Sequence, residues 1–235
     1  MPDLRIVAAQ VEGAPLSCEL SVSGNVTSTH VGLFQEALSR EVSQRRVILI
    51  LLLREVAYIS SAGFAYLVEL VDRLERFGGF LVLVDVDPKI RAIMETLGID
   101  TMFHLAPTRE AAGEMARERE LVLNSSPRLV EVLGPNEGTI YPVLKTVITI
   151  GTDPRCTIML RHPQIERRHA EIYVHGKQVY AKDLGTRFGT FVGKEKVSDQ
   201  ALNDGDIVTV ATFRYAFHQG SAPGPASTPK TQAQA

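Results

Sequence analysis

The sequence predicts two folded domains, an α/β sheet with helical cover followed by an all-β sandwich. Three observations carry this. The chain has 235 residues, more than a single domain of about 100–200 residues usually holds. Its first half alternates apolar strands with amphipathic helices, and its second half replaces them with short strands separated by turn residues. The charge changes at the same place. Residues 1–120 hold 12 Lys+Arg against 17 Asp+Glu, and residues 121–235 hold 13 against 10. Neither balance marks a nucleic-acid surface.

In the first half, Leu16 to Ser23 alternates apolar and polar residues as a half-buried strand does. Gly24-Asn25 supplies a turn, and Thr27, Ser28 and Thr29 offer hydroxyls to cap a helix. That helix places Leu33, Phe34, Ala37, Leu38 and Val42 on one face. Val47 to Leu53 is a continuous aliphatic run. It is far short of the ~20 residues a bilayer span needs, and it reads as a strand covered on both faces. Ser60 and Ser61 then cap a helix from about Ala62, with Phe64, Leu67, Val68, Val71 and Leu74 at helical spacing and Gly78-Gly79 as its stop. Phe80 to Val86 is the next strand. Pro88 opens a helix carrying Ile90, Ile93, Met94 and Leu97, which Gly98 ends, and Thr108 to Glu120 forms a fourth. Strands and helices in this order imply βαβ crossovers.

The second half begins with Leu121 to Pro127, read as a connector into a strand. Strands follow at Leu129 to Leu133, Lys145 to Ile150, Ala170 to Val174, Gln178 to Asp183 and Ile207 to Val210. Turns fall at Gly134-Pro135-Asn136, Asp153-Pro154, His175-Gly176, Gly185 and Asn203-Asp204-Gly205. That spacing is the signature of a sandwich. Gly220 to Ala235 is rich in Pro, Ala, Ser, Thr and Gln without apolar pattern, and disorder is expected there.

Catalytic chemistry finds little support. His30, His104, His162, His169, His175 and His218 include no pair at zinc-site spacing, and neither Cys18 nor Cys156 belongs to a CxxC. No GxxxxGK[ST] loop is present. The expectation is a protein without enzymatic activity, cofactor or metal. Two lone thiols and an N-terminus lacking a signal-peptide core point to the cytoplasm, with no membrane and no nucleic acid as partner.

The segment YISSAGF, between a buried strand and an amphipathic helix, resembles the signature of STAS domains, which include the anti-sigma factor antagonists of bacteria. VDPKIRAIMETLGIDTMF resembles that family's closing helix and strand. The resemblance spans roughly residues 10–115 and implies a mixed sheet packed on one side by helices. It also implies transcription regulation by partner switching, in which an anti-sigma factor or switch kinase-like protein binds this half. In phosphorylatable members a serine follows an aspartate at the helix mouth. Ser61 matches that serine, Ser60 stands in place of the aspartate, and Gly63 matches the glycine. Thr27 stands where many members carry a second aspartate. Ser61 is therefore the candidate phosphoacceptor. A phosphate adds roughly -1.5 to -2 charges, which a helix N-terminus tolerates and an apolar or acidic partner surface does not. The plainer reading is that Ser60 and Ser61 are only helix caps.

Four ordered segments of the second half resemble the forkhead-associated (FHA) domain: VITIGTDPRCTIML, IERRHAEIYV, DLGTRFGTFV and LNDGDIVTVA. Many members of that family read phosphothreonine through loops at one end. Three positions depart from its pattern. After Gly151, the family arginine is Thr152; the phosphate-binding serine is Glu166; the asparagine before Gly189 is Phe188. Arg167 and His169 are retained, and Arg155, Arg168 and Arg187 keep the region basic. Phosphate recognition rests on charge-assisted donors, so this module is expected to bind a second protein partner without phosphate. The domains are placed at 1–118 and 127–219, with a linker at 119–126 and a tail at 220–235. The combined expectation is a signalling adaptor acting by protein–protein interaction. A non-switching scaffold and an atypical phosphothreonine reader are the alternatives.

Overall fold

The computed structural model describes residues 3–144 and 147–220. Residues 221–235, where the disordered tail is expected, lie outside the described residues. The chain divides into two compact units, Met1–Leu121 and Val122–Ala235.

The first unit runs β1 (Arg5–Val11), β2 (Ala14–Ser23), α1 (Val31–Ser43), β3 (Ile48–Glu55), α2 (Ser61–Glu75), β4 (Phe80–Val84), α3 (Pro88–Leu97), β5 (His104–Ala106) and α4 (Arg109–Ser125). The strands form one sheet in the order β1-β2-β3-β4-β5, antiparallel between β1 and β2 and parallel elsewhere. The aliphatic β3 lies at its centre. Leu49, Leu51 and Leu53 pack with Phe34, Leu38, Phe64, Leu67, Ile90 and Met94 from α1, α2 and α3. Ile48 and Ile50 are equally buried and belong to the opposite face, because successive residues of a strand alternate. That face also presents Ser17 and Glu19 of β2, which bond to Glu120 and Arg109 of α4. Ala112 and Ala116 of α4 are fully buried. Helices therefore cover both faces, three on one and α4 on the other, which corrects the expectation of one-sided packing. A strand aliphatic on both faces requires a second cover.

Helix ends follow local chemistry. Ser60 caps α2, and Asp87 caps α3 with Pro88 at its first turn. Gly98 ends α3 in the left-handed region at φ +67, where glycine carries no Cβ penalty. α1 departs from expectation. Its N-cap is His30 without a side-chain cap, while the Thr27 hydroxyl lies 2.8 Å from that of Thr29 and 3.2 Å from His30 Nδ1. Leu33, Ile93 and Leu97 are exposed rather than buried, because each helix turns only one narrow stripe to the sheet. The expected linker at 119–126 is largely helix, since α4 continues to Ser125.

The second unit contains β6 (Arg128–Leu133), β7 (Ile140–Pro142), β8 (Ile148–Gly151), β9 (Ile158–Met159), β10 (Ala170–His175), β11 (Gln178–Asp183), β12 (Thr190–Val192), β13 (Glu195–Val197), β14 (Asp199–Ala201), β15 (Ile207–Val210) and β16 (Phe213–His218). The strand expected from Lys145 begins at Ile148, with Lys145 and Thr146 outside the described residues. Two sheets form the sandwich, β14-β11-β10-β8-β9 and β13-β12-β15-β16-β6-β7. Ile150, Ile172, Ala181, Val208, Val210, Tyr215 and Phe217 are buried between them. In β10, buried Ala170 and Ile172 alternate with more exposed Glu171 and Tyr173, the period of two that faces one side inward.

Candidate protein-interaction sites

The first site lies at the mouth of α2. Val26, after β2, bridges to Ile59. The Val26 N–H donates to the Tyr58 carbonyl at 3.0 Å, and the Ser60 N–H donates to the Val26 carbonyl at 2.8 Å. These bonds tie the entry of α2 to the turn after β2. Ser60 is buried, and its Oγ accepts from the Gly63 N–H at 3.3 Å. Ser61 is the first helical residue and is exposed. The expected shared cap thus separates into two roles, with Ser60 capping and Ser61 facing solvent. No acidic residue occupies the first turn of α2, so its positive end is unmatched by a side-chain carboxylate. Gly63 lets the helix sit close to its neighbours. A Cβ there would lie 2.8 Å from Ile59 Cγ2 and 3.1 Å from Val26 Cγ1.

The second site is built by the loops after β8, β9 and β11. Main-chain bonds hold the first two together: the Thr152 N–H donates to the Glu166 carbonyl at 3.0 Å and the Asp153 N–H to the Arg167 carbonyl at 3.1 Å. Gly151 sits at this crossing, where a Cβ would fall 2.2 Å from the Arg167 carbonyl oxygen. His169 is fully buried. The Glu166 N–H points at its Nδ1 at 3.3 Å, which places the ring proton on Nε2. Nε2 reaches the Gly189 carbonyl at 3.2 Å and Thr186 Oγ1 at 3.1 Å. Thr186 and Thr190 both donate to Asp183 Oδ2 at 2.8 Å. Asp183 lies below its ordinary carboxyl range: burial raises it, but the bonds from Thr186 and Thr190 and the Gly185 N–H outweigh that. His169 is thus a buried fastener between two loops.

Most of the charged residues pair with one another. Asp153 receives Arg155 Nε at 3.1 Å, the Arg155 N–H at 3.0 Å and Arg167 Nη2 at 2.9 Å. The Arg155 side chain, then its N–H, then Arg167 hold this carboxyl far below its usual range, although burial opposes them. Arg168 pairs with Glu171 at 2.6 Å. Glu166 is exposed, and its Oε1 accepts from the Arg187 N–H at 2.8 Å. The Arg187 guanidinium lies 5.5 Å over the ring of Phe188, which is itself exposed. Three guanidiniums of the basic cluster read from sequence, those of Arg155, Arg167 and Arg168, therefore meet carboxylates, while that of Arg187 rests on Phe188. Asp153 was legible only as a turn residue; arginines at Arg155 and Arg167 were the signal of its second role. Gly189 takes φ +78 and turns the last loop into β12.

Among the described residues no group of three or more His, Cys, Asp or Glu is placed to hold a metal. Among the described residues no helix is long and apolar enough to cross a membrane either.

Fold and loops define a chain of two modules. The STAS domain model matches residues 5–112 and the FHA domain model matches residues 148–211. The chain belongs to the FHA-domain proteins and carries a STAS domain before that module. An oxoglutarate dehydrogenase inhibitor of Corynebacterium efficiens is 33% identical over 97 residues, covering 41% of this chain and 68% of that protein. The glycogen accumulation regulator GarA of Mycolicibacterium smegmatis is 33% identical over 97 residues, covering 41% of this chain and 61% of that protein. The FHA domain of the CT664 protein from Chlamydia trachomatis is 26% identical with a TM-score of 0.37, covering 40% of this chain and 97% of that one.

Proposed function

We propose that this chain is a bacterial, cytoplasmic signalling adaptor that catalyses no reaction and joins two protein partners. Its STAS half binds an anti-sigma factor or switch kinase-like protein in a manner gated by phosphate on Ser61. Its FHA half holds a second partner without phosphate. The observation that carries this reading is the division between the two serines. Buried Ser60 holds the cap of α2 while Ser61 is left exposed at the same helix end. A phosphate on Ser61 leaves the cap intact and meets a favourable helix dipole. The domain stays folded, and the added charge is felt by whatever surface docks there.

The FHA half is read from Glu166 and Asp153. The Glu166 carboxylate already takes the Arg187 backbone N–H, and Asp153 already takes Arg155 and Arg167. An incoming phosphate meets like charge, worth roughly 4 kcal/mol of repulsion at 4 Å with an effective dielectric of 20. An unphosphorylated segment resting on Phe188 and Arg187 meets no such cost.

Capture from a bacterial extract with wild type, Ser61→Ala and Ser61→Asp tests the gate, with mass spectrometry reading partners and phosphate on Ser61. Retention by wild type and Ser61→Ala, loss by Ser61→Asp and phosphate on Ser61 support it. Identical partners for all three and an unmodified Ser61 replace it with a constitutive scaffold.

A further inference from the structure

On the face of the first-domain sheet covered by α4, a cleft of about 650 Å3 opens where the parallel strands end. The carboxyl edge of such a sheet is where α/β folds bind small ligands, and the volume is that of a small-molecule site. Its floor is set by strand register. Val7 of β1 pairs with Ser21 of β2, which pairs with Leu52 of β3. Arg5 pairs with Ser23 one step further along, a register shift sets Ser23 opposite Glu55 of β3, and Arg54 precedes Glu55. Two guanidiniums thus flank two serine hydroxyls on the strand between them, and all four residues line the cleft.

Neither Arg5 nor Arg54 has a carboxylate within ion-pair distance among the described residues, whereas Arg109 beside them is taken by Glu19 at 2.6 Å. A pair of unpaired arginines over hydroxyls is a receptor for a tetrahedral oxyanion, which guanidiniums grip in bidentate fashion. The rest of the cleft has the other character. Glu55, Asp85 and Glu110 stand on its wall. Asp85 holds a left-handed backbone at φ +54 and also borders a neighbouring cavity of about 180 Å3. These carboxylates accept hydrogen bonds from hydroxyls and repel a second phosphate.

We infer that this cleft binds a small phosphomonoester with a hydroxyl-rich remainder, a molecule of the sugar-phosphate class. The phosphate sits between Arg5 and Arg54 over Ser21 and Ser23, and the hydroxyls face Asp85 and Glu55. This does not depend on how Ser61 is used.

The test is an amide NMR titration of the full 235-residue chain with ribose 5-phosphate, inorganic phosphate and ribose as probes. Saturable shifts at Ser21, Ser23, Arg54 and Arg109 are expected with ribose 5-phosphate, weaker ones with inorganic phosphate and none with ribose. Arg5→Ala and Arg54→Ala each weaken binding about ten-fold or more, the loss of one charge-assisted contact, and Arg155→Ala leaves it unchanged. Both arginines are exposed, and the unliganded spectrum of each variant reports whether it is folded. Absence of saturation at millimolar probe, shifts confined to the second-domain loops, or full binding by the Arg5→Ala Arg54→Ala double variant overturns the site. Inorganic phosphate binding as tightly as ribose 5-phosphate overturns the ligand class.

Discussion

Replacing Gly63 by alanine adds one methyl at the tightest point of the Ser61 site. The new Cβ would stand 2.8 Å from Ile59 Cγ2, 3.1 Å from Val26 Cγ1 and 3.6 Å from Ser60 Oγ. Carbon atoms prefer about 3.5–4.0 Å, so two contacts are too short. Both methyls belong to β-branched side chains, which are stiff at χ1, and Val26 and Ile59 are 0% and 2% exposed. Relief requires α2 to move from the loop that carries Val26. Overpacking of this kind costs about 1–3 kcal/mol. Alanine returns up to about 1 kcal/mol through helix propensity. The expected net loss is about 0–2 kcal/mol when the propensity gain is complete, together with altered geometry at Ser60 and Ser61. Urea unfolding followed by first-domain amide signals measures it, because a two-domain chain does not give one two-state transition. The midpoint should fall at unchanged slope. A variant more stable than wild type refutes the reasoning about close approach.

Ser60→Ala should destabilise the first domain by about 1 kcal/mol through the lost cap, and Ser61→Ala should stay within about 0.5 kcal/mol of wild type; equal effects in the same urea titration contradict the separation of roles. The domains should also respond oppositely to acid. Asp153 and Asp183 are held below the ordinary range, so their stabilisation is complete above the unfolded value of about 3.9 and is lost as pH falls through their folded values. Glu120 is raised by burial despite bonds from Ser17 and Leu16; its charged form costs the first domain stability at neutral pH, and acidification toward the ordinary glutamate range relieves this. Domain-resolved urea unfolding followed from about pH 7 down to about pH 3 should show the first domain gaining as pH falls toward the ordinary glutamate range and the second domain losing stability at the acid end. A second domain indifferent to acid contradicts the Asp153 clamp. Calorimetric titration of the chain with phosphothreonine peptides and their unphosphorylated forms should show no gain from phosphate; tight phosphate-dependent binding overturns the reading of Glu166.

The strongest sequence signals were those with a single physical meaning. The aliphatic run around Ile50 announced a strand covered on both faces, and Pro88 with Gly98 framed α3 to the residue. Gln178–Asp183 likewise stood out as β11. β1 gave no such signal, because Arg5–Val11 is an edge strand exposed at most positions and lacks alternation. Strands of two or three residues such as β9 and β13 owe their form to partners rather than to local preference. At α1, three hydroxyl residues promised a cap, yet the Thr27 side chain bonds Thr29 and His30 instead. The positions Thr152, Glu166 and Phe188 were marked by the resemblance to the FHA pattern around Gly151, His169 and Gly189. The closure of Asp153 on two arginines was not, since it joins residues 14 apart in sequence through a loop crossing.

The gate at Ser61 is tested most directly by titrating the partner captured through the STAS half against two forms of the chain, one unmodified and one phosphorylated on Ser61. The expected result is binding weakened by about ten-fold or more, about 1.4 kcal/mol, with the domain's amide spectrum otherwise preserved. Equal affinity for the two forms contradicts it and leaves a scaffold that binds its partners without a switch.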